Sequence, residues 1–157
     1  MKSLEEEIMV KSFSSLEIKT ELNVIFTSSF ICGRSTRFFR NYGISMQQYN
    51  VLRILRGSNP NAMNLNDITS RMLDKMSNAT RLVEKLRIKG LTSREINPSN
   101  RREVLINITE KGLVLLSKID EEISHVMNRR YEMLTQEEMH TMNHILDKIR
   151  NADASLR

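Results

Sequence analysis

Two groups of residues in this chain carry recognition chemistry. Ser77, Asn78, Thr80, Arg81 and Lys85 set two hydroxyls, an amide and two cations within one short stretch, "SNATRLVEK". Arg101 and Arg102 stand side by side directly after "NPSN" (Asn97–Asn100). A guanidinium forks onto guanine, an amide onto adenine, and a hydroxyl onto either. Adjacent arginines raised on a loop suit phosphates and a narrow minor groove. The surrounding charge agrees. From Arg71 to Arg102 there are nine Lys or Arg against three Asp or Glu, a local +6, whereas the whole chain is +5 and the remainder therefore −1. Positive charge concentrated in one segment is the footprint of a nucleic-acid binder. A solvated basic face would give the same count, so the elements that position these groups decide between the two.

Helix starts are marked by capping boxes, in which a Ser or Thr hydroxyl and a Glu or Gln three residues on satisfy each other's amides. The sequence offers four: Ser3–Glu6, Ser14–Glu17, Ser45–Gln48 and Thr135–Glu138. The first predicts a short helix. The second predicts a long one running to about Arg40 and closed by Gly43, with Leu22, Ile25, Phe26, Ser29, Phe30 and Gly33 at helical spacing. The third opens a helix ending at Gly57, with Met46, Tyr49, Leu52 and Ile54–Leu55 inward. "SNPN" (Ser58–Asn61) is turn chemistry, and a short helix follows from about Leu65 to Met72 with Asn64 as cap. Asp74–Gly90 reads as a further helix capped by Asp74 and stopped by Gly90. "LTSREI" and "EVLINI" alternate at period two around "NPSN", which predicts a β-hairpin. Thr109 then caps a long helix in which Gly112 is a mild cost in propensity, and Thr135 caps the last one.

Two short helices across a tight turn, followed by a hairpin, describe a helix-turn-helix with a wing. On the second helix Met76, Ala79, Leu82, Val83 and Leu86 form the expected buried stripe, and Asp74, Ser77, Asn78, Arg81 and Lys85 the opposite one. Packing one stripe on the domain aims the other at a major groove. Arg101 and Arg102 would then reach the flanking minor groove from the hairpin tip.

"LNDITSRMLDKMSNATRLVEKLRIKGLTSREINPSNRREVLINITEKG" (Leu65–Gly112) resembles the winged-helix core of the MarR family of bacterial transcription regulators. The likeness lies in "TRLVEKLRIKGL", the "NPSNRR" wing tip, "ITEKG" and the preceding "SMQQYNVLRIL" helix. The resemblance implies a mainly α fold with a small β-hairpin wing, a winged helix-turn-helix flanked by N- and C-terminal dimerisation helices. Residues 1–157 would form one such domain, with 44–108 the DNA-binding lobe and 1–43 and 109–157 the dimerisation helices. It also implies a homodimer on a pseudo-palindromic operator of double-stranded DNA, acting as a repressor released by a small-molecule effector or an oxidant. One position departs from the family: Asn100 stands where an Asp usually pairs with an Arg to order the wing.

The terminal stripes support the dimer independently. Ile108, Leu113, Leu115, Leu116, Ile119, Ile123, Val126 and Met127, then Met139, Met142, Ile145, Leu146 and Ile149, flank a winged helix that is nearly self-sufficient. The alternative from another class is a winged helix that binds an acidic protein partner. Such a face calls for aromatic anchors, and the first turn of the recognition helix has none.

Cys32, near Arg34 and Arg37, is a candidate redox residue, although a free cysteine more often packs as a small hydrophobe. His140 and His144 lie at i, i+4 without a completing ligand, so no metal and no cofactor is expected. No glycine-rich phosphate loop or Ser-His-Asp grouping suggests an enzyme. The lone cysteine, the acidic first residues and the lack of a long apolar run point to the cytoplasm, away from membranes.

Overall fold

Local hydrogen-bond chemistry starts nearly every helix in the computed structural model, which describes residues 2–152. Helix α1 (Leu4–Ile8) opens on the Ser3–Glu6 box, and α3 (Met46–Ser58) on the Ser45–Gln48 box. Between them α2 (Leu16–Arg40) departs from expectation, because Ser15 rather than Ser14 is its cap and accepts from the Ile18 amide at 3.3 Å. That shift leaves Glu17 one position short of the box geometry. A hydrogen bond from the Ser15 side chain instead holds the Glu17 carboxyl below its ordinary pKa.

Strand β1 (Met63–Asn64) leads into α4 (Leu65–Arg71), where the Asn64 side chain accepts from the Asp67 amide at 2.8 Å. Helix α5 (Ala79–Ile88) is followed by β2 (Thr92–Asn97) and β3 (Asn100–Ile108). Helix α6 (Glu110–Tyr131) begins where the Thr109 hydroxyl accepts from the Gly112 amide at 3.1 Å, and the Thr135–Glu138 box opens α7 (Gln136–Ala152). Among the described residues no helix is long and apolar enough to cross a membrane.

The chain divides into two compact units, Met1–Leu116 and Ser117–Arg157, with α6 continuous from one into the other. In the first unit the strands form an antiparallel sheet in the order β1-β3-β2. Thr92 pairs with Ile108 and Ile96 with Val104, and the register then shifts so that Asn97 pairs with Asn100 beside the tip. Val51, Leu52 and Leu55 of α3, Ile68 of α4, Val83 and Leu86 of α5 and Ile106 of β3 are buried, as is Met72. Each such side chain contributes on the order of 1.5–3 kcal/mol by leaving water. This core fixes the helix-turn-helix against the hairpin. In the second unit α7 buries no residue.

Candidate nucleic-acid interface

Helix α5 starts at Ala79, not at Asp74, and the reason lies in competing side-chain bonds. The Asp74 carboxylate accepts from the Met76 amide (3.0 Å) and the Ser77 hydroxyl (2.6 Å), which closes a turn before the helix. The Ser77 bond is the main reason its pKa lies below the ordinary value. Asn78 takes over as cap, its Oδ1 accepting from the Arg81 amide at 2.9 Å. Met76, expected in the buried stripe, therefore sits in the turn and is 94% exposed, and Leu73 is 83% exposed. The remaining stripe holds: Ala79, Val83 and Leu86 are buried and Leu82 half-buried.

These bonds refine what each group can offer a ligand. The half-buried Ser77 hydroxyl already donates within the turn, so toward a ligand it acts as an acceptor. Capping uses one lone pair of Asn78 Oδ1 and fixes its direction, leaving the amide NH₂ as the group free to donate to a ligand. Thr80, Arg81 and Lys85 are exposed, and neither cation has an ion pair among the described residues. Farther along, Arg87 is committed to Glu84 at 2.8 Å, which holds the Glu84 carboxyl down and raises the Arg87 pKa.

Arg101 and Arg102 are exposed at the start of β3, and their guanidinium groups make no hydrogen bond or ion pair among the described residues. The tip is shaped by its asparagines. Asn97 Oδ1 accepts from the Ser99 amide (3.0 Å), and Asn100 Oδ1 accepts from the Arg102 amide (3.2 Å).

The far end of α5 is tied down. Gly90 takes a positive φ of 71° to stop the helix, and the Thr109 hydroxyl donates to its carbonyl at 2.7 Å. Lys89 donates to the carbonyl of Gly43, while Lys111 donates to the Lys89 carbonyl at 2.9 Å. The N-terminal end of α5, with exposed Arg81 and the Asn78 amide, is left facing outward.

The sequence model of the MarR family matches residues 44–104, from the entry to α3 through the wing. The crystal structure of a MarR transcription factor from Planctomyces limnophilus is 30% identical, with a TM-score of 0.67 over 87% of this chain and 98% of that one. The chain belongs to the MarR family. Among curated relatives, the HTH-type transcriptional regulator YkoM of Bacillus subtilis is 30% identical over 116 residues, covering 71% of this chain and 74% of the relative. The fold also matches the S. aureus MepR–DNA complex, with a TM-score of 0.76 over 84% of this chain and 96% of that one, at 18% identity. This MarR-family protein is thus a DNA-binding transcription regulator and not an enzyme.

One outlying sequence candidate remains. Cys32 is exposed on α2, not packed in the core of its own chain. Arg34 lies over the Phe30 ring, 5.5 Å from its centroid. Met76, expected in the buried stripe, and Leu73, which carries no signal in the sequence, are both exposed beside the start of α5; an apolar residue next to a helix start reads as core until the cap is located.

Proposed function

We propose that this MarR-family regulator acts as a homodimeric repressor on a pseudo-palindromic operator, released by a small ligand or an oxidant. The observation that carries the reading is the pairing of an outward N-terminal half of α5 with two wing arginines whose side chains have no partner among the described residues. Arg81 suits a guanine edge, Asn78 and Thr80 suit single hydrogen bonds to bases or phosphates, Ser77 suits a base donor, and Lys85 suits phosphate. Arg101 and Arg102 suit backbone and minor groove. Exposed Met76 and Leu73 suit thymine methyl groups, the apolar feature of the major groove.

Exposed apolar side chains support the dimer. Leu22, Val24, Ile25, Phe26 and Phe30 of α2, with Met142, Ile145 and Ile149 of α7, are each at least 38% exposed in the single chain. Exposed apolar side chains repeated along each of these helices suit an interface. Residues 1–43 and 109–157 accordingly serve dimerisation, and 44–108 serve DNA binding. A dimer seated across a promoter represses by occupancy alone. Exposed Cys32 on α2 is the group through which an oxidant could act.

Selection of bound sequences from random duplex DNA tests this reading. It should enrich two inverted half-sites about one helical turn apart, roughly 10 base pairs. The same exposed Leu73 and Met76 favour the alternative, a winged helix that binds an acidic protein partner. That alternative predicts no enriched sequence.

A further inference from the structure

Between the wing and the helix-turn-helix lies one half-buried carboxylate with two amide partners on different elements. Glu103 Oε1 accepts from Asn64 Nδ2 at 2.9 Å, and Glu103 Oε2 accepts from Asn97 Nδ2 at 2.5 Å. Neither asparagine is idle on its other side. Asn64 Oδ1 caps α4 through the Asp67 amide, and Asn97 Oδ1 turns the hairpin through the Ser99 amide. The chain of bonds therefore runs from the first amides of α4, through Asn64, Glu103 and Asn97, into the wing tip. It meets the hairpin at the register shift between Ile96 and Asn97, where the regular pairing of β2 and β3 is interrupted.

We infer that Glu103 is a positioning residue that fixes the wing, and with it Arg101 and Arg102, relative to the helix-turn-helix. Asn100 stands where the family resemblance implies an ion-pairing acid, and among the described residues its side chain bonds only the Arg102 amide. Glu103 supplies a charged brace from the other side of the tip. Charge-assisted bonds are the stronger kind, and both carboxylate oxygens are used. Glu103 directly follows the Arg71–Arg102 segment of net charge +6, where an acid without partners would only oppose phosphate binding. The consequence for DNA rests on the wing contacting DNA as proposed above; the bracing of the wing does not.

The two effects of Glu103 have opposite signs, which makes the test decisive. Glu103→Gln removes a negative charge, and if charge were all that mattered it would tighten operator binding. A brace predicts the reverse. The new amide accepts from one asparagine but turns a donor toward the other, so the wing loosens and operator affinity falls severalfold despite the gained charge. In the Asn97→Asp/Glu103→Gln double variant, donor and acceptor exchange sides and net charge returns to that of the native chain. Binding should return to within about twofold, the level at which mutual compensation outweighs small local losses. Asn97→Asp alone sets two carboxylates against each other and should bind worst.

The second readout needs no DNA. Hydrogen exchange of the Ser99 and Arg102 amides in the full-length protein should quicken about tenfold in Glu103→Gln, the scale of one charge-assisted hydrogen bond, and recover in the double variant. Unchanged exchange at the tip, or tighter operator binding by Glu103→Gln, overturns the brace. If Arg102→Ala binds operator like the native chain, the DNA reading of the wing fails, and the exchange result still decides the role of Glu103.

Discussion

Gly112 passes so close to the carbonyl oxygen of Leu91 that a Cβ placed on it would lie 2.4 Å from that oxygen and 2.7 Å from Ile108 Cγ1. Glycine inside a helix ordinarily costs about 1 kcal/mol relative to alanine. Here the sign reverses, because the crowding atom is backbone and has no rotamer to give. Gly112→Ala should lower stability by about 1–3 kcal/mol, the range for overpacking a close-packed site. Thermal unfolding at fixed protein concentration should therefore show a drop of several degrees. An unchanged or raised Tm would mean that α6 and the end of α5 are not packed this closely.

The same glycine marks a boundary of sequence reasoning. "TEKG" announces a helix start through local chemistry, and the cap is legible because Thr109 and the Gly112 amide are three residues apart. The approach of Leu91 comes from a remote turn and leaves no trace in the neighbouring residues, so Gly112 reads only as a propensity cost. The recognition helix is a second case. Asp74, Ser77 and Asn78 are all competent caps, and only the capture of Asp74 by Met76 and Ser77 passes that role to Asn78. Strand β1, two residues long, is too short for any alternation to show. Glu103 carries no signal of its role in the neighbouring sequence, since both its partners are supplied by the fold. The winged-helix architecture itself was legible because its caps, turn residues and period changes are local.

Met76 gives a test that alters the DNA by single methyl groups. Replacing thymines of the selected operator one at a time by deoxyuridine should weaken native binding at one position per half-site by about fourfold, the value of about 0.8 kcal/mol for one buried methyl-sized group. In Met76→Ala that position should lose its sensitivity while the others keep theirs. If no deoxyuridine substitution separates the two proteins, Met76 does not read thymine.

Dimerisation should be visible by sedimentation. At micromolar concentration the protein should travel as about twice its 18.3 kDa chain mass. Removing residues from Thr135 onward, or introducing Phe26→Glu in the exposed stripe of α2, should give monomer or insoluble protein. A monodisperse full-length monomer would contradict the two-half-site arrangement.

The central claim is that α5 reads bases while the wing positions the protein by charge and shape. Competition titrations of operator against scrambled duplex, at several salt concentrations, test it most directly. Arg81→Ala should weaken operator binding by about 1–3 kcal/mol and random-duplex binding much less, collapsing the specificity ratio. Arg102→Ala should weaken both and lower the slope of log affinity against log salt by about one unit, as expected for one lost phosphate contact. Equal losses on both DNAs for both variants, with the same change in salt slope, would contradict the division of labour between helix and wing.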